Sequence, residues 1–255
     1  MITFAPSGRS LRYTNRVRIV GADQPYFWLS AGWRDFRVSV ATSLPYGLIF
    51  VILGFALTGG LWRVGRIDLL LPLASGFILL IPLLSLGVLQ ISREIHRSGR
   101  PSFFRDNAGS IANIAVAFMF VFLLWIYLCQ IAFALAFPVT ATMDPVGLWK
   151  EAFMTVGGAE FIALFLVLGA CLAAVTFMGG ALALPMLLDR DTGMAEALAT
   201  SFTACFFNQR TMTIWALLVT ALIAGGMALA YVGLAVTLPL IGHSTWHAYR
   251  AVIGR

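Results

Sequence analysis

Of 255 residues, 60% are hydrophobic and only 11% charged. A soluble domain carries about a quarter charged residues, so lipid is the natural solvent for apolar blocks as long as these. The net charge of +6 does not point to nucleic acid: the basic residues sit in short segments beside apolar blocks, and no soluble stretch is long enough to carry a basic face. The composition therefore predicts an all-α, polytopic membrane helix bundle with the lipid bilayer as first partner.

Residues 1–24 carry several arginines but no apolar run ahead of a small-residue cleavage site, so they read as a cytoplasmic tail and not as a signal peptide. Residues 25–250 form a single transmembrane domain and 251–255 a C-terminal tail. In the stretch Trp28–Phe55, one helical stripe carries Trp28, Trp33, Phe36 and Val40, and Arg34, Asp35, Arg37 and Ser39 occupy the rest of the circumference. That pattern predicts an amphipathic helix lying on the cytoplasmic membrane surface and feeding through Pro45 into a first span at about 44–62. A second span follows at about 69–91, with bends at Pro72 and Pro82. The segment Ser92–Asn107 is the most basic internal one and is expected on the cytoplasmic side.

The third span is expected at about 111–136, and the net acidic segment 137–160 fits the opposite side. The fourth span, about 161–187, ends in Asp189-Arg190-Asp191, which reads as a charged cap on a cytoplasmic helix end. Met194–Phe207 repeats the opening pattern, with Met194, Leu198, Phe202 and Cys205 on one stripe and Asp191 or Thr192 as N-cap. The apolar block 211–241 is long for one span and short for two. With Gly225-Gly226 as a tight turn it yields spans at about 208–224 and 227–246, six in all with both termini inside, and five spans as the alternative.

The closing GHSTWHAYR holds the sharpest chemical signal. His243 and His247 stand at i, i+4, so they share a helix face and could ligate one metal or grip a haem edge. No carboxylate or thiol lies within a turn of them, and His96 is the one other imidazole in the chain. The alternative is that both sit at the interface with Trp246 and Tyr249, bonding headgroups or loops. Tyr46, beside Pro45, and Asn208, beside Arg210, mark the corners where the first and fifth spans begin. Cys129, Cys171 and Cys205 form no CxxC and read as small apolar residues. No nucleophile elbow, phosphate loop or HExxH occurs, so the expectation is a protein that is not an enzyme and has no cofactor apart from a metal or haem at His243 and His247.

The opening WLSAGWRDF and SLPYGLIF, the LPMLLDRD that ends the fourth span, and above all the closing LPLIGHSTWHAYR resemble the uncharacterised bacterial integral membrane proteins grouped as domain of unknown function 2189. The resemblance covers roughly residues 25–252 and implies a bacterial inner-membrane location without a defined activity. Some members are labelled putative cytochrome c oxidase subunits. A catalytic haem–copper subunit needs several intramembrane histidines, which this chain lacks, so the label implies at most a role beside a respiratory complex. The leading expectation is thus a non-catalytic accessory or scaffolding partner of membrane complexes. A transporter or lipid-handling protein, with helices broken at Pro72, Pro82, Pro185 and Pro239, is the first alternative. Metal or haem binding through His243 and His247 is the second.

Overall fold

The computed structural model describes residues 17–97, 103–137 and 154–253. Most of the predicted tail and of the acidic segment 137–160 lies outside them. The described chain is helical: α1 (Gln24–Val38), α2 (Val40–Arg63), a 3-10 turn (Ile67–Leu69), α3 (Leu70–Leu84), α4 (Leu86–Arg97), α5 (Ala108–Ala136), α6 (Val156–Gly180), α7 (Ala183–Asp189), α8 (Met194–Phe207), α9 (Gln209–Ala228) and α10 (Leu234–Val252).

Among the described residues, five helical stretches are long and apolar enough to cross a membrane: Val40–Arg63, Ile67–Arg97, Ala108–Ala136, Val156–Asp189 and Gln209–Ala228. They turn large apolar side chains outward, including Ile52, Phe120, Leu135, Leu166 and Leu217. In water such surfaces would aggregate, whereas against acyl chains they are matched. The chain is a helical membrane bundle. The residues expected to form a sixth span, 227–246, fall on a turn and on α10, which has buried polar side chains and is not one of the five. The turn itself comes later than Gly225-Gly226, which stay helical. It uses Ala230 and Tyr231 at positive φ (50° and 64°), a conformation that costs non-glycine residues about 1 kcal/mol or more each.

The chain divides into two compact units. One comprises Met1–Val51, Ile81–Ala115 and Phe177–Arg255, the other Ile52–Leu80 and Val116–Thr176. The second is a plain apolar core in which Trp125 packs with Leu79 and Cys129 and meets Phe165 edge-on, ring centroids 4.8 Å apart. The Trp125 indole N–H donates to the Pro72 carbonyl at 3.0 Å, so its one polar atom is satisfied inside apolar surroundings.

The first unit is built on α10. This helix is buried nearly all round, which is the position its mixed pattern demands: apolar Leu238, Ile241, Trp246 and Val252 and polar His243, Ser244 and Thr245 are all buried. Helices α1, α4, α7 and α9 pack on it. α1 buries Trp28, Ala31, Gly32, Asp35 and Phe36, with Gly32 against Ser244 of α10 and Trp28 edge-on to Trp215 of α9. The predicted membrane-facing stripe is therefore split: Trp28 and Phe36 point into the protein, and Trp33 and Val40 stay exposed. Gly32 sets the approach, because a Cβ there would lie 2.1 Å from Ser244 Oγ and 2.7 Å from Ser244 N.

α8 is also turned relative to its apolar stripe. It buries Ala197, Thr200, Ser201, Ala204 and Cys205 and leaves Phe202, Phe206 and Phe207 exposed. Small and hydroxyl residues give closer helix contact than bulky ones, which lipid accommodates instead. Its N-cap is Gly193, without a side-chain cap bond from Asp191 or Thr192. Residues 17–21, assigned by sequence to the tail, are tied down. Arg18 N–H donates to Val252 O at 2.8 Å, Val20 N–H donates to Asn208 Oδ1 at 2.8 Å, and Thr211 Oγ1 donates to Val20 O at 3.1 Å.

Candidate metal centre

Three side chains far apart in sequence meet in the α10-centred unit. Asp35 comes from the buried face of α1, His96 from the last turn of α4 and His247 from the middle of α10. Asp35 Oδ2 lies 2.8 Å from His96 Nε2 and 2.9 Å from His247 Nε2. One ligand atom from each residue falls within 4.8 Å of the others, and the two imidazoles meet edge-on with centroids 5.0 Å apart. Asp35 is buried, while His247 and His96 keep partial exposure, with side chains 18% and 25% accessible. The arrangement is thus open on its imidazole side.

Burial alone would push the Asp35 carboxyl up. The hydrogen bonds from His247 and His96, together with their charge, outweigh burial and hold it below the usual carboxylate range. The carboxylate is therefore anionic and ready to act as a hard oxygen ligand. With hydrogens on both Nε2 atoms, the imidazoles donate to this one oxygen. With those hydrogens removed, the same three atoms present two lone pairs and a carboxylate to a cation.

His243 does not join this group. One nitrogen, Nδ1, meets Ser92 Oγ, and Nε2 meets Ser43 Oγ at 2.9 Å and Ser39 Oγ at 3.3 Å. One hydrogen assignment serves the bonds from Ser43 and to Ser92 and leaves the 3.3 Å Ser39 contact without a hydrogen. Ser39 donates to the Asp35 carbonyl (2.8 Å), Ser43 donates to Nε2, and Nδ1–H donates to Ser92. Ser92 in turn donates to Asp35 Oδ2 at 3.4 Å. His243 thus supports the carboxylate from behind through Ser92. Burial drives its pKa down to about 4, with Asp35 opposing the shift and the other two imidazoles adding to it, so it is neutral at physiological pH. The helical pair is real as spacing, but its two members face different partners.

Asp189 forms a second polar knot. Its side chain is 3% exposed, accepts from Arg97 Nη2 at 2.8 Å and from Tyr249 O–H at 2.9 Å, and Arg190 Nε donates to the same Tyr249 oxygen at 3.0 Å. The DRD motif is therefore a clasp between helices, more than a cap on one helix end. Burial, with the Asp189 charge beside it, raises the pKa of Tyr249. Asn107 fastens the same corner by donating to the carbonyls of Leu187 and Arg190 at 2.8 and 2.7 Å.

The remaining predicted positions serve packing. Tyr46 O–H donates to Leu84 O at 2.7 Å, and its ring fills the space left by Gly87. Asn208 binds the 17–21 segment, accepting from Val20 N–H and donating to Arg18 O. Trp246 is fully buried against Tyr249, centroids 5.4 Å apart, and its indole N–H finds no acceptor among the described residues. Trp33 stacks on Phe36 at 5.5 Å and stays 42% exposed.

Sequence reasoning missed His96 as a partner because it read Ser92–Asn107 only as a basic cytoplasmic segment, whereas its first residues continue the helix Leu86–Arg97. The i, i+4 fit of Ser92 with His96 on the helix Leu86–Arg97 was the signal that could have found it. No curated protein and no solved structure matches this chain. A family model described as predicted integral membrane protein (DUF2189) matches residues 70–189, a stretch that includes His96, Arg97 and Asp189 but neither Asp35 nor His247. Over that stretch the chain is similar to the family its sequence motifs resemble, the integral membrane proteins of domain of unknown function 2189.

Proposed function

We propose that this integral membrane protein holds one divalent transition-metal ion between Asp35 Oδ2, His96 Nε2 and His247 Nε2, with further coordination positions open. The observation that supports it is the convergence of two imidazole nitrogens on one buried carboxylate oxygen from three separate helices. Metal–nitrogen and metal–oxygen bonds of about 2.0–2.2 Å place neighbouring ligand atoms roughly 3.0–3.4 Å apart. The observed 2.8 and 2.9 Å lie a few tenths of an ångström short of that spacing, and the third pair of ligand atoms lies within 4.8 Å. Two imidazoles and a carboxylate suit zinc or ferrous iron better than cuprous ion, which prefers sulfur, or calcium, which prefers oxygen alone.

In this reading the protein is a non-catalytic accessory partner of other membrane proteins in the bacterial inner membrane, with its basic segments on the cytoplasmic side. The positive-inside distribution of Arg93, Arg97, Arg105 and Arg250 supports that orientation. The labels carried by some family members support a place beside a respiratory complex. The test is equilibrium dialysis of purified, chelator-stripped protein against zinc. Wild type is expected to retain close to one equivalent, Asp35→Asn and His96→Ala to lose it, and His243→Gln to keep it. Equal retention by wild type and the Asp35→Asn variant would refute the assignment.

A further inference from the structure

Beside the three-residue cluster lies a cavity of about 490 Å³ whose polar lining is Arg18, Arg97, Arg190, His247, Tyr249 and Arg250. Arg18, Arg97, Arg190 and Arg250 line this space, and among the described residues no carboxylate lines it. Two acids sit behind the lining: Asp189 against Arg97 and Tyr249, with its side chain 3% exposed, and Asp35 against His247 at 2.9 Å. Two carboxylates do not balance four arginines, so the cavity holds a positive potential, and its partly desolvated walls strengthen that potential. The Nε atom of Arg97 is buried and has no acceptor among the described residues, although Nη2 of the same group is engaged. A buried donor of this kind needs a partner, and the described residues do not supply one there.

We infer that this cavity is a binding site for a phosphate-bearing anion. Guanidinium forks match phosphate oxygens in pairs, and a phosphate offers more acceptor oxygens than the two of a carboxylate, which suits several arginines at once. The volume exceeds what a bare phosphate needs and accommodates a small phosphoester such as glycerol phosphate. Two of the lining arginines stand at the ends of candidate membrane spans, Arg97 closing Ile67–Arg97 and Arg190 directly following Val156–Asp189. Span ends are where lipid headgroups sit, so the phosphate can come from an anionic phospholipid or from a soluble phosphoester.

The site does not depend on the metal reading, although His247 borders both. The experiment is run in chelator to keep the two apart. Wild type, Arg18→Gln, Arg250→Gln and the double variant are titrated in neutral detergent with glycerol phosphate, then with mixed micelles containing phosphatidylglycerol or phosphatidylcholine. Arg18 and Arg250 are chosen because neither belongs to the Asp189 clasp or to the three-residue cluster, and detergent melting checks that each variant is folded. The expected result is saturable binding of glycerol phosphate or of phosphatidylglycerol, weakened tenfold or more by either single substitution. Binding of the soluble ester identifies a free phosphoester site, and binding of phosphatidylglycerol alone identifies a headgroup site. No saturable binding of either phosphate probe, or affinities unchanged in folded variants, would overturn the inference.

Discussion

Replacing Gly32 by alanine probes the contact that brings Asp35 to His247. The added Cβ would lie 2.1 Å from Ser244 Oγ, 2.7 Å from Ser244 N and 2.9 Å from Ser244 Cα. The hydroxyl can rotate away, but the nitrogen and Cα belong to α10 and cannot. Restoring ordinary contact therefore requires α1 to retreat by roughly 0.7 Å, an overpacking strain of the kind that costs about 1–3 kcal/mol. In a chain of this size each kcal/mol corresponds to roughly 2–4 °C, so melting in detergent should fall by about 2–12 °C. Asp35 lies one turn further along α1, and a displacement of that size exceeds what a metal–ligand bond tolerates, so zinc affinity should drop at least tenfold. Adding Ser244→Ala removes only the hydroxyl clash and should rescue the loss in part. Gly59→Ala, with nothing within 4 Å of its added Cβ, is the control and should leave both properties intact or raise stability slightly. A Gly32→Ala protein that melts and binds zinc like wild type would show that the α1–α10 packing is not as described.

Three further outcomes are expected. Because His243 is held near pKa 4 against about 6.5 in an unfolded chain, its contribution to stability is complete above about pH 6.5. It fades as pH falls, by about 2 kcal/mol at pH 5, and His243→Gln should flatten that part of the melting-versus-pH curve. Asp189→Ala strips the buried acceptor from Arg97 and Tyr249 and should cost about 3 kcal/mol or more, read as a lowered melting temperature. Asn208→Ala releases the Val20 N–H and the Arg18 carbonyl at about 1–2 kcal/mol, and should raise hydrogen exchange and protease cutting selectively at residues 17–21.

The apolar blocks were legible in the sequence because the bilayer imposes a length on any helix that crosses it, and all five candidate helices overlap predicted spans. Facing was harder to read. Trp28 and Phe36 share a stripe with the exposed Trp33, and the rule that apolar residues cluster on one face cannot tell a lipid-facing stripe from a protein-facing one. On α8 the buried face is the one with Ala, Ser and Thr, the reverse of what an aqueous rule would choose. Gly225-Gly226 looked like a turn but stays helical, since Gly226 instead lets Gly233 and Thr237 approach.

The site was visible in fragments. Asp35, Asp189, Tyr249 and His247 each stood out as polar residues in apolar context, but 61 residues separate Asp35 from His96 and 212 separate it from His247. Local spacing carries no information about such pairings. The histidine pair drew attention to its own helix, whereas the partners of each member come from others. His243 turns to serines because Ser39, Ser43 and Ser92 project from α4 and from the junction of α1 with α2, and hydroxyl groups at that spacing read as ordinary span residues.

The central claim, a metal held by Asp35, His96 and His247, is tested most directly by X-ray absorption at the cobalt edge of protein loaded with one equivalent of Co(II). The account predicts a first shell of oxygen and nitrogen with the multiple-scattering signature of two imidazoles in wild type and in His243→Gln, and loss of that bound cobalt in His96→Ala and in His247→Ala. A shell without imidazole, or one that keeps both imidazoles when His96 is removed, would contradict it.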